Sequence, residues 1–347
     1  MEEALNTDPV QDSGRAVCFG ELMLRLTAPG RELLLQSGRL DVHVGGAEAN
    51  VAVGLARLGH RAAMVSRLPD NLLGEAAIGH LRRHGVDVSG VASAPGRMGL
   101  YFVSLGAGLR PSEIVYDREG SSFAASGPVD YDWDVLLAGA DLLHLSGITP
   151  ALGDGPAAAA LASAEAAAAR GIRVVFDGNF RPQLWQRRGG DPRIVLTPLV
   201  EKAEIMFGNH RDISLLLGAK FGGDGEARRR AAAEAAFDAF PRLKLIASTA
   251  RHVVDAETHR ISARIDGRDG VAQTKEVEVT GIVDRIGAGD AFAAGVLHGL
   301  RLGRDLDWAA RSGLALACLK HSLPGDVSLF GPGAIEAFQT GERDVRR

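Results

Sequence analysis

The sequence predicts an α/β protein built on a mostly parallel central sheet, on three observations. Short apolar runs recur along the chain, segments of helical period separate them, and in two places the pattern switches to strict alternation. The runs lie at 17–26, 62–66, 141–146, 172–176, 204–207 and 243–248. They lack a polar face, as strands do when helices cover both sides. At 50–59, Val51, Leu55 and Leu58 share one helical face and Gly59 follows as a stop, so a strand–loop–helix unit opens the domain. A second such unit closes it. Leu40, Val42 and Val44 alternate at 39–44, and 98–104 with 112–117 reads as a hairpin around Gly106, Ala107 and Gly108. Strands with one apolar face each suit a small separate sheet, formed from about residues 25–45 and 95–125 and lying over the main domain as a lid. The domain is expected to span 16–340. Residues 1–15 are acidic, broken by Pro9 and Gly14, and carry no basic segment followed by an apolar one, so they read as a disordered leader on a cytoplasmic protein.

The bulk numbers fit this class and exclude others. A chain of 347 residues can bury a real core, and 46% apolar with 24% charged residues is ordinary globular composition. A formal charge of −4 gives no general attraction to nucleic acid or acidic lipid, so an anion must be met by a local cluster. Cys18 and Cys318 both sit in apolar segments and read as buried free thiols in a reducing compartment. The Ala-rich stretch 156–170 contains Ser163 and Glu165 and is too short and too weakly apolar to span a membrane.

Near the C-terminal end, Gly287, Ala288, Gly289 and Asp290 lead straight into an apolar helical segment. Free N–H groups at a helix start bind anions, and glycines let the backbone approach without a Cβ in the way. Asp290, at the mouth of that helix, is suitably placed to accept a proton from an attacking hydroxyl. Taken alone, the same residues read better as a tight turn with an N-cap. Neither G-x-G-x-x-G after the first strand nor G-x-x-x-x-G-K-[ST] occurs, which weakens hydride-transfer and P-loop readings.

The stretch 284–290 resembles the D-T-x-G-A-G-D signature of the ribokinase-like (PfkB) carbohydrate kinases. Asp284 and Gly287 to Asp290 match it, and Arg285 stands where threonine is usual. The stretch 44–50, with Gly45, Gly46 and Asn50, looks like that family's G-G-x-x-x-N element. Three further stretches, 116–121, 143–150 and 177–185, are similar to the 2-keto-3-deoxygluconate kinases, a branch of the family. The likeness runs from about 17 to 217 and resumes at 276–301.

The resemblance implies a ribokinase-like three-layer fold, ATP and Mg2+ as cofactors, and phosphorylation of a small sugar acid at its C6 hydroxyl. Asp290 is implied as the base, with Gly287, Ala288 and Gly289 around the phosphoryl group. It places Gly46 and Asn50 beneath the sugar, and Tyr101, Tyr116, Arg118, Asn179 and Arg181 around the acid. A planar guanidinium suits a carboxylate, and Arg181 follows a strand end, where open α/β sheets put ligand loops. Asn209, Ser248 and Arg251, with Gly287 and Gly289, fall to the nucleotide, and Asp212 stands where the family organises magnesium through water. At 247–255 the K-x-G-x-x-G turn of many relatives is missing. Residues 320–326 read either as a further wall of the nucleotide pocket or as a helix end stopped by Pro324 and Gly325. Two alternatives stay open: a kinase for a neutral sugar, and a catalytically silent sugar-binding regulator. An exposed edge of the small sheet is a natural surface for a homodimer or higher homo-oligomer.

Overall fold

The computed structural model describes residues 14–342. The expected leader lies outside the described residues up to position 13, and Arg15 already opens the first strand. In chain order the strands are β1 (Arg15–Phe19), β2 (Met23–Thr27), β3 (Asp41–Gly45), β4 (Ala62–Pro69), β5 (Asp87–Ala94), β6 (Gly99–Ser104) and β7 (Glu113–Asp117). They continue as β8 (Ala140–Ser146), β9 (Arg173–Asp177), β10 (Ile205–Phe207), β11 (Leu245–Val253), β12 (His259–Gly267), β13 (Val271–Gln273) and β14 (Val277–Val279).

Ten strands form one sheet in the order β13-β12-β11-β10-β9-β8-β1-β4-β5, with β14 also pairing with β12. From β11 to β5 every pair is parallel; β12, β13 and β14 are antiparallel to their partners. On β1, Ala16 and Cys18 face one core and Val17 and Phe19 the other, and all four are fully buried. That two-sided burial is why the run has no polar face. The first core packs under the helices Ala47–Arg57, Ala288–Arg301 and Leu306–Lys320, the second under Asp154–Ala169, Pro192–Val200 and Gly225–Ala239. The result is a three-layer helix–sheet–helix fold. Among the described residues no helix is long and apolar enough to cross a membrane.

The apolar run 17–26 is not one strand: it divides at Gly20, and β2 leaves the central sheet. It enters a four-stranded sheet of order β3-β2-β6-β7, the small sheet expected from the alternating segments. Residues 106–112 of the β6–β7 loop reach the β11–β12 turn, where the Ala256 N–H donates to the Gly108 carbonyl at 2.9 Å.

Strand order reverses beside β1. The chain steps from β1 to β4 and β5 on one side and fills β8, β9, β10 and β11 on the other. Such a switch point leaves a crevice outside the carboxyl ends of the strands, where ligands bind in open α/β sheets.

Candidate active site

The loop before helix Ala288–Arg301 is shaped by close packing. Gly287 has φ 80°, and a Cβ there would lie 1.7 Å from the Asp326 carbonyl oxygen, so only glycine fits. The first-turn amides of Gly289 and Asp290 have no carbonyl four residues back within the helix, which leaves them as donors for an anion. Asp290 accepts a 2.6 Å hydrogen bond from Asn50 Nδ2, and the buried Asn50 Oδ1 has no partner. Burial pushes the Asp290 carboxyl up to about 7; the Asn50 bond opposes this, Asp326 and Glu48 add to it, and Arg181 lowers it. A carboxyl in that range is suited to exchange a proton near neutrality.

The carboxyl ends of the strands bring the other residues together. A Cβ on Gly46 would lie 2.2 Å from the Glu21 carbonyl, so the loop after β1 rests directly on the G-G element. Asn179 adopts a left-handed conformation, φ 40°, and donates its N–H to Asp177 Oδ1 at 3.1 Å. Asn tolerates that region better than most residues. Asp177 itself is held well above the usual carboxylate range by burial and by Asp290; Arg181 opposes, and Asp212 and Glu48 reinforce. Burial also raises Asp212 and Glu48.

Two cavities meet at Arg181. One, of about 240 Å³, is lined by Asp177, Asn179, Arg181, Asn209, Asp212, Ser248, Thr249 and Gly289 among others. The second, of about 480 Å³, lies beneath the small sheet, between Tyr116 and Arg118 on one side and Ile148, Arg181 and Arg187 on the other. Among the described residues neither Arg181 nor Arg187 is paired with a carboxylate at salt-bridge distance, and both are exposed.

Several residues expected at the site are already engaged by neighbours in the structure. Arg118 is buried, and both its Nε and Nη2 are held by Glu21 Oε2, at 2.8 Å for Nε. It is therefore no free fork for a carboxylate; only Nη1 is left for a ligand. The Tyr101 hydroxyl donates to Asp326 Oδ2, and its ring stacks on Tyr116 at 5.7 Å. Asn209 and Asp212 cap helix His210–Leu217. Asn209 Oδ1 accepts from the Arg211 N–H and Asp212 Oδ2 from the Asn209 N–H, each at 2.8 Å. Without the glycines of a K-x-G-x-x-G turn, β11 runs straight on through Ser248 and Arg251 to pair with β12. Arg251 lies on the same strand face as Thr249, close enough to Arg285 for the two to repel. At residues 320–326 helix Leu306–Lys320 ends, and Asp326 packs behind the 284–290 loop; none of these residues lines either cavity.

Sequence reasoning missed Asp177, Glu48, Glu21 and Arg187. Asp177 and Glu48 lie inside motifs already singled out, and acids in otherwise apolar surroundings were the available signal. Asp177, Asp212 and Asp290 crowd around Arg181 as their chief positive neighbour, a set of hard oxygen donors that a hydrated divalent cation fits. Among the described residues no three His, Cys, Asp or Glu side chains converge to ligate a metal.

A helix-mouth anion loop, a buried carboxyl titrating near neutrality and a crevice at the switch point define a phosphotransferase type of α/β enzyme. The sequence profile described as "pfkB family carbohydrate kinase" matches residues 13–329. The chain belongs to that family and is a carbohydrate kinase. It is 32% identical to the 2-dehydro-3-deoxygalactonokinase of Haloferax volcanii, over 94% of this chain and 96% of the relative. It is 30% identical to the 2-dehydro-3-deoxygluconokinase of Bacillus subtilis, over 96% and 97%. The crystal structure of the 2-dehydro-3-deoxygluconokinase of Thermotoga maritima superposes with a TM-score of 0.90 at 35% identity, covering 95% of this chain and 99% of that one. These matches agree with the ribokinase-like expectation for the fold.

Proposed function

We propose that the protein transfers the γ-phosphoryl group of ATP to the C6 hydroxyl of 2-keto-3-deoxygluconate, giving the 6-phosphate. The observation that carries this reading is the 480 Å³ cavity with two unpaired guanidinium groups, joined through Arg181 to the Asp290 site. A neutral sugar gives those groups nothing to neutralise, whereas a carboxylate does. Arg181 and Arg187 hold the acid with the remaining Nη1 of Arg118, while Tyr101 and Tyr116 wall the sugar. Asn50 Oδ1 takes a sugar hydroxyl and its Nδ2 keeps Asp290 oriented. Asp290 receives the C6 hydroxyl proton as the oxygen attacks phosphorus, and the amides at 288–290 meet the charge on the transferring group. Asn209, Ser248, Thr249 and Arg251 face the nucleotide. Mg2+ would be held through water by Asp177 and Asp212 and supplies neutralisation of the phosphate charge. The reaction belongs in the cytoplasm, where ATP is at hand.

The test is Arg181→Ala assayed by ADP release across sugar acids and neutral sugars. Loss of a charge-assisted contact of about 1.5–3 kcal/mol should lower kcat/KM roughly 10- to 150-fold on the sugar acid. An unchanged rate on the acid sinks the carboxylate assignment. The 2-keto-3-deoxygalactonate epimer belongs in the same panel, because the Haloferax volcanii relative is named for it.

A further inference from the structure

Behind the 284–290 loop lies a buried ion network that the chemistry above does not use. Arg25 on β2 is fully buried. Its Nη2 lies 2.7 Å from Asp284 Oδ2, its Nη1 3.0 Å from Asp326 Oδ1, and its Nε donates to Thr27 Oγ1 at 2.7 Å. Asp284 Oδ1 accepts the Ile286 N–H and Asp284 Oδ2 the Gly325 N–H, each at 3.0 Å. The Tyr101 hydroxyl closes the set on Asp326 Oδ2, and Tyr101 is the residue of β6 directly in register with Arg25. One guanidinium of the small sheet therefore joins the first residue of the phosphoryl loop to the 323–328 turn. The Asp326 carbonyl of that turn is what Gly287 packs against.

Burying three charges costs several kcal/mol per ion before their attraction is counted, and an apolar cluster of the same volume is often at least as stable. Stability alone is thus a poor reason for the network. Geometry is a better one, because the planar fork of arginine spans two carboxylates at a fixed separation and angle. We propose that Arg25 is a positioning residue for phosphoryl transfer, making the strands that carry Tyr101, the 284–290 loop and the 323–328 turn one rigid unit. The Ala288–Asp290 amides and the sugar-side wall then keep a fixed relation. A misplacement of about 1 Å there can cost on the order of 100-fold in rate. The inference rests on the kinase reading.

Two variants test it with saturating sugar acid, ATP and Mg2+. Arg25→Lys keeps the charge but cannot span both carboxylates; Thr27→Val removes only the acceptor for Nε. The expected result for Arg25→Lys is a kcat lowered about 10- to 100-fold, with both KM values within about threefold of wild type and a melting temperature within a few degrees. Thr27→Val should show the same split with a loss of a few-fold. A wild-type kcat in Arg25→Lys, or a rate that falls only as the folded fraction falls, overturns the proposal. Should Arg25→Lys not fold, Thr27→Val decides, and an unchanged kcat there overturns it too. Wild-type protein that releases no ADP with any sugar acid defeats the kinase reading instead, a result plainly distinct from an active wild type matched by its variants.

Discussion

Replacing Asp290 by Asn is expected to abolish phosphoryl transfer and to stabilise the fold in the same step. In the folded protein, burial raises this carboxyl from 3.8 to about 7. Below 3.8 the folded and unfolded forms both carry the proton, and the charge costs nothing. As pH rises from there the unfolded chain ionises first, so stability is lost until about pH 7 and stays lost above it. The difference is 7 − 3.8 = 3.2 units. At about 1.36 kcal/mol per unit this is roughly 4 kcal/mol near pH 8 and roughly 2 kcal/mol near pH 5.5. These are upper limits, since the asparagine amide must also be desolvated. Asp290→Asn should therefore unfold at higher urea concentration than wild type near pH 8, and the gap should shrink by about 2 kcal/mol near pH 5.5. Loss of the base should lower kcat by about 10²- to 10⁴-fold in the ADP-release assay. A gap in stability that does not change with pH, or a variant that keeps its rate, refutes the assignment of Asp290 as a buried base.

Binding of Mg2+ with ATP should release protons near pH 6.5, because Asp177, Asp212 and Asp290 are all held above the ordinary carboxylate range and a cation favours their ionised forms. Calorimetry in buffers of different ionisation enthalpy measures this; no release in wild type, or equal release in Asp290→Asn, would count against it. Far from the site, His60 Nε2 and Nδ1 of His298, a buried residue of helix Ala288–Arg301, lie 2.8 Å apart, and burial lowers them to about 3 and about 4. Their folded pKa values are depressed, so their contribution is intact above about 6.5 and is lost as pH falls from there toward 4. Urea unfolding near pH 7 and near pH 5 should show a slope that the double variant His60→Leu, His298→Leu reduces.

Much of the architecture was legible because periodicity reports burial directly. Runs without a polar face fitted strands covered on both sides, and alternation at 39–44, 98–104 and 112–117 fitted a sheet with one wet face. What the pattern could not convey was the division of 17–26, since a strand that leaves one sheet for another keeps the same apolar composition. Nor could it show pairing. For Arg118 and Tyr101, expected around the acid, sequence carries no sign that Glu21 and Asp326 already engage them. Arg25, a charge between Leu24 and Leu26 inside a run read as apolar, was passed over, and only the structure shows the buried partners that hold it. Asp212 illustrates a motif with two readings: it makes a capping box with Asn209, and it also lines the cavity beside Asp177 and Arg181.

The location of the acids follows from the fold and carries its own cost. A parallel sheet ends every strand of one side of the switch point in the same crevice, so Asp177 at the end of β9, Asp212 after β10 and Asp290 at the helix mouth converge without any being neighbours in sequence. Convergence makes each harder to ionise, and for a base that is useful, since a carboxyl near 7 takes a hydroxyl proton more readily than one near 4. The same crowding stores unfavourable charge in the ligand-free protein, which the substrate-bound state can relieve through cations and through hydrogen bonds to the sugar. Arg25 fits this logic from the opposite side. It ion-pairs with both Asp284 and Asp326 and holds them in place behind the loop, and Asp326 still adds to the negative field that raises Asp290 beside the cavity.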